Sequence, residues 1–301
     1  MSKPRVGFIG VGFMGHGMAK NLIEKGFPLT ILGNRNRAPV DDLVGRGANE
    51  AKTARDVAKA VDILFICVTD STTVEAIMRG PEGIKAGAHK GLVVVDCSTA
   101  NPVSTEALAK ELAELGVAMA DAPLGGTPAQ AETGQLSAMV GADPDVFKRI
   151  EPAIAAWAAK IVHLGPVGTG HKMKLLNNFL SMGYAAIYAE ALALGQKVGI
   201  SVETFDSVIR GGRMDCGFYQ TFMGYALEGN RDSHKFTLSN AAKDLRYVDA
   251  MASATKMANP MSSAAKNLFA QAVGTGRGDD FVPMITDFVA EMNGMKHKPR
   301  G

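Results

Sequence analysis

Val6-Gly7-Phe8-Ile9-Gly10-Val11-Gly12-Phe13-Met14-Gly15-His16-Gly17-Met18-Ala19 is the stretch that decides how the chain is read. Four apolar or small residues run up to a glycine, and helix formers follow from Met14 to Lys25. A strand that turns directly into a helix through Gly-x-Gly-x-x-Gly has a physical logic. Gly10 allows the tight turn, Gly12 lets a pyrophosphate approach the backbone, and Gly15 lets helix and strand pack closely. The helix start offers free N–H groups and the positive end of the dipole to an anion. Gly10, Val11, Gly12, Phe13, Met14 and Gly15 are therefore expected to bind a nicotinamide dinucleotide.

Outward from this turn, apolar runs and helical patterns alternate. Strands are expected at Leu29–Leu32, Ile63–Val68, Leu92–Asp96, Val117–Ala122, Ser137–Val140 and Ile161–Leu164, with helices at Pro102–Leu115 and Asp145–Ala158. Such alternation predicts a doubly wound, mainly parallel α/β sheet of Rossmann type. The Gly- and Pro-rich Gly165-Pro166-Val167-Gly168-Thr169-Gly170 reads as a boundary, giving domains 1–167 and 168–301. Beyond it only helices are expected: a long interdomain helix over Lys172–Val198, then Val202–Ile209, Tyr219–Leu227, Ser239–Ala252, Ser262–Ala272 and Val282–Met292.

The turn after the second strand bears on the choice of cofactor. A carboxylate about 20 residues past the glycines would receive the ribose 2′-hydroxyl of NAD. Here the turn reads Gly33-Asn34-Arg35-Asn36-Arg37, without a carboxylate. Asn34, Arg35 and Asn36 are expected to line the cofactor, Arg35 or Arg37 pairing with a 2′-phosphate, which favours NADP while leaving NAD possible.

Lys174, Asn177 and Asn178 fall at i, i+3 and i+4 near the start of the long helix and share one face, which can point into a cleft between the domains. Adjacent asparagines weaken a helix, a cost that suggests a function. A protonated lysine stabilises the alkoxide charge that builds on a carbonyl oxygen receiving hydride; a neutral one takes the proton back. The bland alternative is a solvated polar stripe. His16 reads as a solvated helix-start residue, and His163 and His171 as structural.

Composition excludes other classes. A net charge of +2 argues against nucleic acid or a membrane surface as partner. No run is long and apolar enough for a spanning helix, and no signal peptide is expected. Three cysteines without metal spacing predict no metal site and a cytoplasmic protein, with Cys67 and Cys97, in or beside apolar runs, expected as buried thiols.

Five segments in order resemble the β-hydroxyacid dehydrogenase family, which includes 3-hydroxyisobutyrate dehydrogenase and tartronate semialdehyde reductase. They are Phe8–Gly15, Asp96-Cys97-Ser98-Thr99, Asp121-Ala122-Pro123, Gly170-x-x-x-Lys174-x-x-Asn177-Asn178 and Lys243-Asp244-Leu245. The resemblance implies Lys174 as general acid/base, Asn178 beside it against substrate, and Val68, Thr69, Thr99 and Lys243 against the cofactor. It implies Ser98, Gly125, Gly126, Thr127 and Asn177 on the substrate side, a small acid as substrate, and a homodimer or homotetramer. Many members carry Ser-Gly-Gly where this chain has Gly125-Gly126-Thr127. This looks more like the branch containing sulfolactaldehyde reductase, though that branch has arginine where Gly126 stands. The substrate's anionic group is then expected at the N–H groups of Gly125, Gly126 and Thr127. The same fold also serves imine reductases, which lack the lysine, and a non-catalytic dinucleotide-binding protein is the third reading.

Overall fold

The computed structural model describes residues 3–33 and 35–296. Nine strands form one sheet: β1 (Val6–Ile9), β2 (Leu29–Leu32), β3 (Asn49–Ala51), β4 (Ile63–Ile66), β5 (Val93–Asp96), β6 (Ala118–Asp121), β7 (Leu124–Gly125), β8 (Leu136–Gly141) and β9 (Ala158–Gly165). Their order is β3-β2-β1-β4-β5-β6-β8-β7, with β9 beside β8. From β3 to β6 every pairing is parallel, whereas β8 runs antiparallel to β6 and β7. The order reverses between β1 and β4, the position at which open α/β sheets bind ligands, beyond the carboxyl ends of the strands.

β1, β4 and β5 are buried along their whole length, which explains their unbroken apolar sequences. Alternate residues feed opposite faces. Phe8, Phe65 and Val95 enter a core with Trp157 on one side. Ile9, Leu64, Ile66 and Val94 enter a core with Met78 and Leu112 on the other.

The chain parts into two compact units, Met1–Lys174 and Leu175–Gly301, and the break falls inside the helix Thr169–Lys197. The second unit is helical and packs Tyr219, Phe222 and Phe269 into its own core. Among the described residues its only β pairing is an isolated bridge, Thr237 to Phe281.

Several local expectations are corrected. Helices at Ala38–Gly45, Ala54–Ala60 and Ser71–Arg79, and the strand β3, flank the strand at Ile63–Ile66, where the sequence pattern predicts that strand alone. The helix expected to reach Ala158 ends at Ile154, because Trp157 is drawn wholly into the core and Ala158 already belongs to β9. The last helix is split by Pro283 into a short 3₁₀ turn and Ile285–Met292. No described helix is long and apolar enough to cross a membrane.

Candidate active site

At the end of β1 the glycines differ in what surrounds them. Gly10 has φ +99°, and a Cβ there would stand 2.8 Å from the Cys67 carbonyl carbon and closer still to its oxygen. A Cβ on Gly15 would press on the Phe8 ring at 2.9 Å and on the Gly10 carbonyl. A Cβ on Gly12 would meet nothing within 4 Å. Thus Gly10 and Gly15 close the turn, and Gly12 leaves open space in front of it. The helix Gly15–Glu24 begins with no side-chain cap and no acid in its first turn, whereas Thr53, Asp70, Asn101 and Thr127 cap the starts of other helices in this unit. An uncapped N-terminus beside an open glycine fits a pyrophosphate. Phe13 is almost fully exposed on this turn. His16 is not solvated: its ring bridges Glu132 (2.7 Å) and Asp42 (2.9 Å).

The ends of β4 and β5 lie alongside. A Gly10 Cβ would sit 3.0 Å from the Val68 side chain. The Val68 N–H donates to Ser98 Oγ (3.0 Å), and the Ser98 N–H donates to Asp96 Oδ1 (2.9 Å). Gly10, Val68 and Ser98 are thereby brought together, with Thr69 and Thr99 next in the chain. Cys67 and Cys97 follow β4 and β5. Burial pushes the Cys67 thiol up to about 12, and the Cys97 thiol also well up, so both are inert.

Asp96, Asp121 and His171, all fully buried, form a cluster that sequence reading missed. Asp121 Oδ1 accepts the Gly168 N–H and Oδ2 the His171 N–H, each at 2.6 Å, so a carboxylate from β6 caps the helix carrying Lys174. Burial holds the Asp121 carboxyl above its usual range, against the opposing pull of His171 and these N–H groups. His171 Nδ1 meets Thr105 Oγ1 at 2.8 Å, and Thr105 also reaches the Asn101 carbonyl at 3.2 Å. His171 Nε2 faces Asp96 Oδ2 at 3.9 Å, and among the described residues neither atom has a hydrogen-bond partner. The three residues come from β5, β6 and the long helix, so no local spacing in the chain marks the cluster.

The substrate-side loop also departs from expectation. The Thr127 N–H is taken by Gln130 Oε1 (2.9 Å) in a capping box at the helix Pro128–Glu132, so it is not offered to an anion. Gly125 pairs with Ser137 across β7 and β8, and the Ser137 hydroxyl fills the space a residue-125 side chain would need. A hydroxyl is therefore present here after all, supplied by β8. Gly17, also missed, lets the helix Gly15–Glu24 lie against this loop's helix: its Cβ would stand 2.6 Å from the Glu132 nitrogen.

Beyond β2, Arg35 lines a cavity of about 670 Å³ with Gly33, Arg37, Glu50, Ala51 and Lys52. Asn36 is exposed. Asn34 lies outside the described residues. Arg37 is committed to Glu50 (2.6 and 2.9 Å) and Asp41 (2.8 Å). The turn itself has no carboxylate, but Glu50 arrives beside it from β3.

On the long helix, Lys174 is half-buried, Asn177 exposed and Asn178 buried. In the second unit the Asn178 amide donates to Asp244 Oδ2 (2.6 Å), which fixes the amide's orientation. Asp244 is 1% exposed and pairs at 3.2 Å with Lys243, whose ammonium also lies 5.7 Å from the Tyr247 ring. No described group of acids, histidines or cysteines is arranged to hold a metal.

Residues 5–165 match the NAD-binding domain of 6-phosphogluconate dehydrogenase, and residues 168–287 the NAD-binding domain of NADP-dependent 3-hydroxyisobutyrate dehydrogenase. The 2-(hydroxymethyl)glutarate dehydrogenase of Eubacterium barkeri is 36% identical over 91% of this chain and 92% of its own length. The 3-sulfolactaldehyde reductase of Escherichia coli is 28% identical over 97% and 98%. In fold, the chain resembles the 3-hydroxyisobutyrate dehydrogenase of Mycobacterium tuberculosis solved with L-serine, with a TM-score of 0.86, 23% identity, and 96% and 99% of the two chains covered. A dinucleotide cradle at the switch point, followed by a lysine-bearing helix, belongs with these sequences: the chain is a member of the β-hydroxyacid dehydrogenase family, NAD(P)-dependent oxidoreductases that act on CH–OH groups.

Proposed function

We propose that this enzyme interconverts a small semialdehyde acid and its hydroxy acid with NADP as the preferred cofactor, and that Lys174 is the general acid/base. The observation that carries the reading is the anchoring of Lys174. Its helix starts on the buried Asp121 carboxylate through the Gly168 and His171 N–H groups, six and three residues before the lysine. A group so fixed suits proton transfer at one defined atom.

When bound, the nicotinamide ring supplies or accepts the hydride. In reduction, Lys174 Nζ stabilises the growing charge on the substrate oxygen and gives it a proton. In oxidation, the neutral amine takes that proton away. Asn178, oriented by Asp244, presents its amide beside the lysine on the same helical face, and Asn177 extends the polar strip. Gly10 to Gly15, Val68, Thr69, Thr99 and Lys243 bind the cofactor. Ser98, Gly125 and Gly126 stand on the substrate side, and Thr127, its N–H held by Gln130, closes that loop. The similar proteins support the class, since their names carry a hydroxymethyl acid and an aldehyde sulfonate. The second-unit match to an NADP-dependent enzyme supports the cofactor preference.

The enzyme is proposed to act as a homodimer or homotetramer. Met173, Leu176, Leu180, Tyr184, Ile187 and Leu194 repeat every three, four or seven residues and expose one apolar face of the long helix.

The test is Lys174→Ala, assayed by NADPH oxidation with succinic, tartronate and methylmalonate semialdehydes, glyoxylate and sulfolactaldehyde. Turnover should fall by at least about 1,000-fold, roughly 4 kcal/mol of barrier, while NADPH affinity is kept. A loss below about tenfold removes Lys174 from the chemistry. Wild-type activity on cyclic imines alone would replace this reading with imine reduction.

A further inference from the structure

The cavity beyond β2 holds a carboxylate that its own turn lacks. Glu50 stands on β3 opposite Ile31 of β2, and Gly33 follows the end of β2. Because Gly33 has no side chain, the space beside it is open to Glu50. A Cβ there would lie 3.1 Å from Glu50 Cδ and 3.1 Å from Arg37 Nη1. Glu50 grips both terminal nitrogens of Arg37, and Asp41 takes a third hydrogen bond from the same guanidinium. The pairing with Arg37 holds the Glu50 carboxyl below its usual range, so it stays ionised. Arg35 and Lys52 complete the wall.

In folds of this kind the adenosine ribose lies past the second strand. A 2′-hydroxyl there is a donor that a carboxylate receives well. A 2′-phosphate is a dianion that Arg35, Arg37 and Lys52 attract, that Glu50 repels, and that competes with Glu50 for the Arg37 fork. We propose that Glu50 is the residue that sets the choice between the two cofactors, and that its ion pair with Arg37 keeps this pocket open to both. The proposal rests on the cofactor reading given above and adds a determinant on a different strand from the turn.

The test is the binding of reduced cofactor to the full-length protein, followed by nicotinamide fluorescence without substrate. Glu50 and Arg37 side chains are 35% and 49% exposed, so replacing either leaves the core intact. Glu50→Gln should tighten NADPH by about tenfold, the worth of one charge-assisted hydrogen bond released to the phosphate. The NADH Kd should rise or stay level, because the amide still accepts from a hydroxyl. Arg37→Ala should weaken NADPH and leave NADH nearly unchanged. A ratio of the two Kd values that stays within about threefold of wild type in Glu50→Gln, roughly 0.65 kcal/mol, overturns the role of Glu50 alone. Failure of the wild-type protein to bind either cofactor overturns both this proposal and the reading beneath it.

Discussion

The glycine turn separates a folding role from a binding role, and two alanine substitutions test the separation. In Gly10→Ala the new methyl inherits a backbone at φ +99° and lies 2.8 Å from the carbonyl carbon of Cys67. A non-glycine residue in such a region costs about 1–3 kcal/mol. Forcing a methyl into packed backbone costs about 1–3 kcal/mol more. The expected loss is about 4 kcal/mol, and at about 2–4 °C per kcal/mol for a domain of this size the melting midpoint falls by about 8–16 °C. In Gly12→Ala the methyl meets nothing within 4 Å and the backbone is not left-handed. Its stability should stay within about 0.5 kcal/mol of wild type. Yet the methyl stands where the pyrophosphate approaches, so the NADPH Kd should rise at least about tenfold. Urea denaturation reads the first effect and fluorescence titration the second. If Gly12→Ala destabilises the fold as much as Gly10→Ala, or binds NADPH like wild type, the division of labour is wrong.

Asp121→Asn keeps the shape but leaves one of the two N–H groups at the helix start facing an amide NH₂. It should cost about 2–3 kcal/mol, a lost cap and an unpaired buried donor less the relieved burial of a charge. Because burial raises the folded-state value of Asp121, its contribution is fully present below the usual 3.8 and is lost as pH rises through the raised value. The deficit of the variant, read by denaturation across pH, therefore widens as pH falls through that window; a deficit that narrows there refutes the assignment. Leu180→Glu, at a site 53% exposed in one chain, should shift light-scattering mass toward monomer and raise the dissociation constant at least about tenfold. Unchanged mass would place the interface elsewhere.

Much of the fold can be read where one physical rule dominates. The β1 turn, the unbroken apolar β4 and β5, and the helix Val202–Ile209 follow from periodicity and glycine placement. β3 escapes because three residues, two of them exposed, carry no apolar period. With β3 goes Glu50, so a carboxylate sought in the turn is found one strand away. β9 is expected only over Ile161–Leu164, and its start escapes because Ala158 continues an alanine-rich helical pattern that only the burial of Trp157 interrupts. Lys174 and the asparagines, the residues proposed for the chemistry, stand out by local spacing alone. Asp121 and Ser137 are not, because their roles depend on register between strands.

The buried polar groups of the first unit show what the fold gives up to keep this geometry. Asp96, Ser98, Thr105, Asp121 and His171 are all within 2% of full burial, and all lie on one connected path. The path runs from the Val68 N–H through Ser98 and Asp96 to His171, and from His171 to Thr105 and Asp121. Two buried carboxylates and an imidazole are a poor source of stability, since apolar residues of similar volume often serve as well or better. Their location gives the reason for keeping them. Val68 abuts the glycine turn, and Asp121 and His171 start the helix that bears Lys174. A hydride site needs its proton donor held at a fixed distance from the cofactor, and loops alone do not hold such a distance. Under the role proposed for Lys174, the path ties the loop beside the glycine turn to the lysine helix through strand ends, at the expense of burying charge.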